Sequence, residues 1–320
     1  VHERTPYFFK RHAIQNCLYG VDIDPGAVEI AKLRLWLSLV VDEEDVKQIK
    51  PLPNLDYKIV AGNSLIGVER DIFNNNLFIQ LERLKPQYFD ETDAKKKASL
   101  KQQIDDLIHQ LTNSKEQFDF EIYFSEVHRK GWFDVVIANP PYIGQKGNKE
   151  LFEIMKHDTN FEKKMDYWYF FLHKAYGITS QNGVNTFITP NYWITAQGGK
   201  KIRNRIVKDY EVLEYINFNE NAIFEAGIHT NVFILKKSRK INHFVKCTIF
   251  IHVYEGDFLT YRDKELIFTA DQEVIHSGWT GFVHFLPSTV LKVISKLYVD
   301  CEKSNTSGKA GGLKKCEPLK

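Results

Sequence analysis

The chain has 320 residues, 43% hydrophobic and 26% charged, enough for one large domain or for one domain and part of another. Forty-three basic against 41 acidic residues leave a net charge of +2, so nothing global announces a polyanion partner, and any nucleic-acid contact has to be a local patch. Cys17, Cys247, Cys301 and Cys316 form no C-x-x-C pair, which argues against a disulfide framework or a zinc site and fits a reducing cytoplasm. The longest apolar run, residues 35–41, is too short to span a bilayer, and no basic-then-apolar signal precedes residue 20.

Strands are predicted at residues 17–22, 57–61, 133–138, 183–189, 212–218 and 231–235, each rich in Val, Ile and aromatics. Their alternation with helices predicts an α/β fold, a mostly parallel sheet with helices on both faces. The first three strands end in polar clusters, and ligands of open parallel sheets bind outside the carboxyl ends of the strands. After the first strand, Asp24 is placed to cap a helix beginning at Pro25, with Ile30, Leu33, Leu37 and Val41 at helical spacing. Residues 69–130 turn charged and amide-rich, and Ile104, Leu107, Ile108 and Leu111 make a narrow apolar stripe. This is a helical excursion, and a solvated hairpin packed on the rim is favoured over a functional arm. Past residue 240 the alternation loses regularity, which predicts the start of a second domain. The Gly/Lys/Ser-rich end at 304–320 reads as flexible and receives no function.

The strongest chemical signal is Asn139-Pro140-Pro141-Tyr142, directly after the strand at 133–138. An amine on a purine ring is a poor nucleophile, because its lone pair is delocalised into the ring. The Asn139 side-chain oxygen and the Pro140 carbonyl can accept both amino hydrogens and favour a pyramidal nitrogen. The two prolines stiffen the turn, and Tyr142 offers a face on which an extruded base can stack. The plainer alternative is a proline turn after a buried strand.

In this position the tetrapeptide resembles the catalytic motif of amino-methyltransferases, and other motifs accompany it in order. Gly20-Val21-Asp22-Ile23-Asp24-Pro25 resembles the acidic motif in which the first carboxylate, here Asp22, takes the ribose hydroxyls of S-adenosyl-L-methionine. Asp24 is read as a turn cap. Ala61-Gly62-Asn63-Ser64-Leu65 resembles the motif whose Asp or Asn contacts the cofactor adenine, with Asn63 as the match. The resemblance thus implies cofactor contacts from Asp22, Ile23, Asn63, Ser64 and Asn139. Residues 217–237 resemble the late motif that supplies a second stacking aromatic, here Phe224, for which a core role is the alternative. Thr189-Pro190-Asn191-Tyr192-Trp193 resembles the strand end that frames the target pocket.

The resemblance covers roughly residues 1–240. It implies a Rossmann-like S-adenosylmethionine-dependent methyltransferase sheet with flanking helices and the start of a second domain, acting on adenine N6 in double-stranded DNA. The class is that of type IIG restriction-modification enzymes and similar adenine methylases. On this reading residues 1–245 are the catalytic domain with an insertion at about 69–130, residues 246–320 begin a target-recognition domain, and nuclease and specificity regions are fused or separate. Basic runs at 200–205 and 236–240 offer phosphate contacts or are solvated faces.

No glycine-rich loop precedes Asp22, and Gly308-Lys309-Ala310-Gly311-Gly312 follows no strand. The chain therefore reads as a fragment truncated at both ends, binding cofactor weakly by itself. Glu302-Lys303 has no placed partner Asp, so no cleavage is assigned. The rivals are a protein-glutamine or RNA amino-methyltransferase and, of another class, an inactive DNA-binding fragment.

Overall fold

A computed structural model describes residues 5–41, 55–68, 73–112, 118–221, 223–224, 227–238, 244–250, 265–275 and 283–291. The expectations placed on residues 304–320, on Glu302-Lys303, on Ala222 and on Arg239-Lys240 lie outside them. The chain forms two compact units, residues 1–133 and 134–320.

The first unit begins with α1 (Pro6–Asn16), which Thr5 caps by accepting from Phe8 N. Strand β1 (Gly20–Asp22) pairs in parallel with β2 (Ile59–Ala61), in the register Asp22↔Ala61. Between them runs α2 (Pro25–Val40), capped by Asp24 with proline at its first position, as the sequence predicts. The predicted apolar face of α2 is not the one it buries. Ile30, Leu33 and Leu37 are exposed, while Val28 and Leu39 pack with Ile14, Leu55 and Ile59. The helix is apolar on two sides, and α1 and β2 cover only the stripe through Val28, Ala31, Leu35 and Leu39.

The expected helical excursion is present as α3 (Asn75–Asp90) and α4 (Ala94–Leu111), with Asp93 capping α4. The stripe Ile104, Leu107, Ile108 and Leu111 is buried against Tyr57, Phe78, Leu81 and Tyr88. The hairpin therefore carries a core of its own. Two short helices follow, α5 (Phe120–Tyr123) and α6 (Ser125–Arg129).

The second unit holds a six-stranded sheet built from β3 (Phe133–Ala138), β4 (Thr179–Pro190), β5 (Glu211–Asn217), β6 (Thr230–Lys236), β7 (Phe244–Phe250) and β8 (Glu265–Asp271), in the order β3-β4-β6-β5-β7-β8. It is mixed rather than mostly parallel: β6 runs antiparallel to both β4 and β5, β5 is parallel to β7, and β7 is antiparallel to β8. A direct return from β5 to β6 with no crossover helix dictates the reversal. The unit also contains helices α7 (Lys149–Glu153), α8 (Trp168–Ile178), α9 (Lys200–Asp209) and the short α10 (Gln272–Ile275). Phe233 of β6 sits across from Phe187 and Tyr215 in register and packs with Trp168 and Trp193, which makes cross-strand aromatic pairs the centre of the core. Strand β3 lies at the end of the order, and its Val135 and Ile137 are 55% and 76% exposed. No helix among the described residues is long and apolar enough to cross a membrane, and no His/Cys/Asp/Glu group among them could hold a metal ion.

Candidate active site

The site is built where β3 stops. Asn139 precedes a proline, which biases its backbone to an extended conformation, and the two fixed proline φ angles turn the chain away from the sheet. Asn139 is exposed, Pro140 buried and Tyr142 half-buried. The Tyr142 hydroxyl lies 3.0 Å from the Ile188 carbonyl of β4 and 3.3 Å from Asn139 Oδ1. It has one hydrogen to give, and Ile188 is the closer acceptor. Burial lifts the Tyr142 pKa to about 12, so the phenol is neutral at physiological pH and its ring is tethered to the sheet.

Phe224, on the segment between β5 and β6, faces that ring with centroids 6.4 Å apart and planes inclined by 64°. A base stacked between two rings needs two gaps of about 3.4 Å, the spacing of bases in a duplex. The present distance is close to that span, and parallel stacking requires one ring to rotate. Asn139, Pro140, Pro141, Tyr142 and Phe224 are thus brought together at the carboxyl ends of β3, β4 and β5 and the start of β6.

A strap that sequence reading passed over holds the turn from behind. Tyr167 N donates to the Ile143 carbonyl at 2.8 Å, Gly144 and Asp166 form an isolated bridge, and Gln145 N donates to Met165 O at 3.3 Å. Asp166 is buried and accepts from the Tyr192 hydroxyl at 2.5 Å. Burial raises its carboxyl pKa, and the Tyr192 hydrogen bond opposes the rise. Beside it Trp193 is fully buried, with Nε1 donating to Asn231 Oδ1 at 3.1 Å. The Thr189–Trp193 stretch therefore braces the site, and the only sequence signal for this was its resemblance to a pocket-framing strand end.

In the first unit, the parallel register brings Asp22 and Asn63 to the same strand ends, with Gly62 N donating to Asp22 O at 2.8 Å. A Cβ at Gly62 would fall 2.2 Å from Phe118 Cβ, so only glycine lets that ring close against the strand end. Asp22 is exposed and its Oδ1 accepts from Asp24 N at 2.9 Å. One carboxylate oxygen remains for a diol, which fits a ribose ligand. Asn63 Oδ1 accepts from Leu65 N at 3.0 Å, which orients the amide. Ser64 is half-buried beside it, and Ile23 is 73% exposed.

Among the described residues, Lys201, Arg203 and Arg205 of the first basic run and Lys237 of the second make structural contacts. The Lys201 ammonium is held by the Thr159 and Phe161 carbonyls at 2.6 and 2.9 Å. Arg203 is buried with NH1 donating to the Trp193 and Ala196 carbonyls. Arg205 contacts His173 and pairs with Asp209, and the Lys237 ammonium donates to Tyr176 and Thr179 carbonyls. These side chains are consumed inside the fold, where they satisfy backbone carbonyls of the neighbouring turns and of α8.

The proline-stiffened Asn139–Tyr142 turn thus closes a strand of a mixed α/β sheet, with the Tyr142 ring faced by Phe224. The profile of the Eco57I restriction-modification methylase family matches residues 16–224, and the chain belongs to that family. It is 25% identical over 247 residues to the type II restriction enzyme and methyltransferase RM.Eco57I of Escherichia coli, over 73% of this chain and 20% of that protein. It is 54% identical over 69 residues to RM.MjaORFECS2P of Methanocaldococcus jannaschii, covering 20% of this chain and 6% of that one. The chain thus spans about a fifth or less of the length of these relatives. The DrdV–DNA complex, solved by cryo-electron microscopy, shares the fold at a TM-score of 0.50 and 13% identity, over 86% of this chain and 25% of that one.

Proposed function

We propose that the chain carries the catalytic region of a DNA methyltransferase of a restriction-modification system, acting on the N6 amino group of an adenine extruded from double-stranded DNA. The observation that carries this reading is the Asn139–Tyr142 turn, its ring tethered to Ile188 and faced by Phe224. Asn139 Oδ1 and the Pro140 carbonyl accept the amino hydrogens and aim the nitrogen lone pair, while Tyr142 and Phe224 clamp the base. Orientation supplies most of the rate, and no strong base is needed. Asp22 and Asn63, with Ile23 and Ser64 beside them, hold the ribose and adenine of S-adenosyl-L-methionine, which supplies the activated methyl group when bound. Residues 1–245 form the catalytic region with its helical insertion, and residues 246–320 begin a target-recognition region that works with fused or separate nuclease and specificity parts in the cytoplasm.

The test is transfer of tritiated methyl from S-adenosyl-L-methionine to unmethylated bacterial DNA, by this chain and by a version extended upstream. Label in N6-methyladenine, abolished by Asn139→Ala while the fold melts as before, is the expected result. Label in RNA or a protein substrate instead, or full activity of Asn139→Ala, overturns the reading.

A further inference from the structure

Lys164 is the least ordinary backbone position near the catalytic turn. Its φ is +65°, in the left-handed region that non-glycine residues rarely enter, so the surroundings must hold it there. Its N–H donates to Gln145 Oε1 at 2.6 Å. Its carbonyl lies where a Cβ at Gly198 would come within 2.2 Å, so Gly198 alone admits this approach. Its ammonium, on an exposed side chain, donates to Gln197 Oε1 at 2.7 Å, which leaves two N–H donors. Three segments are thereby tied into one ridge: the residues after the catalytic turn, the residues before Asp166, and the turn that leads into α9.

Each segment carries lysine. Lys146, Lys163 and Lys200 are exposed and have no ion partner among the described residues. Three acidic groups near the ridge are engaged: Glu162 accepts from Lys201 N at 3.0 Å, Asp166 is buried on Tyr192, and Glu153 pairs with Lys156 at 2.5 Å; Glu150, four residues after Lys146, is exposed. Four positive charges collect here in a chain whose net charge is +2. Gln145 follows Tyr142 by three residues, a reach of at most about 10 Å, so the ridge begins beside the turn.

We propose that Lys146, Lys163, Lys164 and Lys200 form a phosphate-contacting ridge that grips the backbone of duplex DNA next to the base held at Tyr142. This rests on the proposed methyltransferase function. The lysines are positioning residues: they set where the strand lies and read no sequence. The strained, doubly braced backbone at Lys164 fixes the ridge before DNA arrives.

The experiment is fluorescence anisotropy of a labelled short DNA duplex against the full chain at several salt concentrations. Each phosphate contact contributes about 0.9 to the slope of log affinity against log salt. The variant Lys163→Gln/Lys200→Gln alters two side chains that make no hydrogen bond among the described residues and is expected to lower the slope by about 1.8. Lys164→Gln should lower it by about 0.9, with recovery in Lys164→Arg. Lys95→Gln/Lys96→Gln, on the exposed surface of α4, should leave it unchanged. A slope unaltered in the ridge variants overturns the proposal even if adenine is methylated. A reduced slope without methyl transfer to DNA by this chain or by its extended version upholds the phosphate contacts and removes the catalytic reading.

Discussion

Tyr142 has two separable parts, a ring that can stack on a base and a hydroxyl that ties the ring to Ile188. Tyr142→Phe keeps the first and removes a hydrogen bond worth about 1 kcal/mol, so single-turnover methyl transfer should slow by about fivefold to tenfold. Tyr142→Ala also loses stacking of about 1–3 kcal/mol and should fall much further. Equal rates for wild type and Tyr142→Phe would show that the tether does nothing for the reaction. Arg203 makes the opposite case, a residue whose charge invites a functional reading and whose place in the fold contradicts it. It is 2% exposed and satisfies the Trp193 and Ala196 carbonyls at 2.8 and 2.7 Å. Arg203→Ala leaves the Trp193 carbonyl without this donor, at about 1–3 kcal/mol, while the Ala196 carbonyl keeps its bond from Gly199 N at 3.1 Å. Urea unfolding should register that loss, while the salt slope of DNA binding by the folded variant stays that of wild type.

Among the elements, the α3–α4 hairpin joins a legible feature to an illegible one. The stripe through Ile104 and Leu111 could be read because apolar residues at helical spacing in a charged segment have one explanation, a face that packs. Lys85 could not, since a lysine in such a segment reads as solvated. Its side chain is fully buried, with the ammonium on the Tyr123 carbonyl and 3.3 Å from Glu126. Burial lowers its pKa to about 8 against the pull of Glu126. Replacing both partners of a buried ion pair by well-packed apolar residues is often neutral or stabilising, whereas removing either one alone costs about 3–5 kcal/mol. Lys85→Met and Glu126→Gln should therefore each lower the melting temperature, the double variant Lys85→Met/Glu126→Leu should recover much of the loss, and the Glu126→Gln deficit should shrink as alkaline pH strips the proton from Lys85. The same contrast runs through the candidate site. Asn139 and Tyr142 stand together in sequence and were found there. The Asp166–Tyr192 bond spans 26 positions and the Lys164 brace draws on Gln145, Gln197 and Gly198, so neither leaves a local pattern. The mixed sheet escaped for a related reason, because strand direction is set by how β5 returns to β6 and not by the composition of either strand.

At the scale of the whole molecule, the two units carry buried titratable groups that respond to different pH ranges. His173, on α8 in the second unit, is buried, and its Nδ1 accepts from Arg205 Nε at 3.2 Å. The ring proton therefore sits on Nε2, and a second proton would have to enter on the side of the guanidinium. Burial first and Arg205 second lower its pKa from 6.5 to about 4. The unfolded chain thus binds the proton more tightly than the folded one. The stability contributed by neutral His173 is complete above about pH 6.5, falls as pH drops toward 4, and is gone below that. Between pH 7 and 4.5 the loss amounts to about 2.5 kcal/mol. Lys85, in the first unit, is already protonated in both states below about pH 8 and contributes no slope there. Acidification should consequently weaken amide-exchange protection in α8 and β4, and leave α3 and α4 unchanged as far as these two groups are concerned. His173→Phe removes the titrating ring and should make α8 and β4 insensitive to acid over this window. Equal loss of protection in both units, or an acid response of α8 that persists in His173→Phe, would assign the sensitivity to other groups.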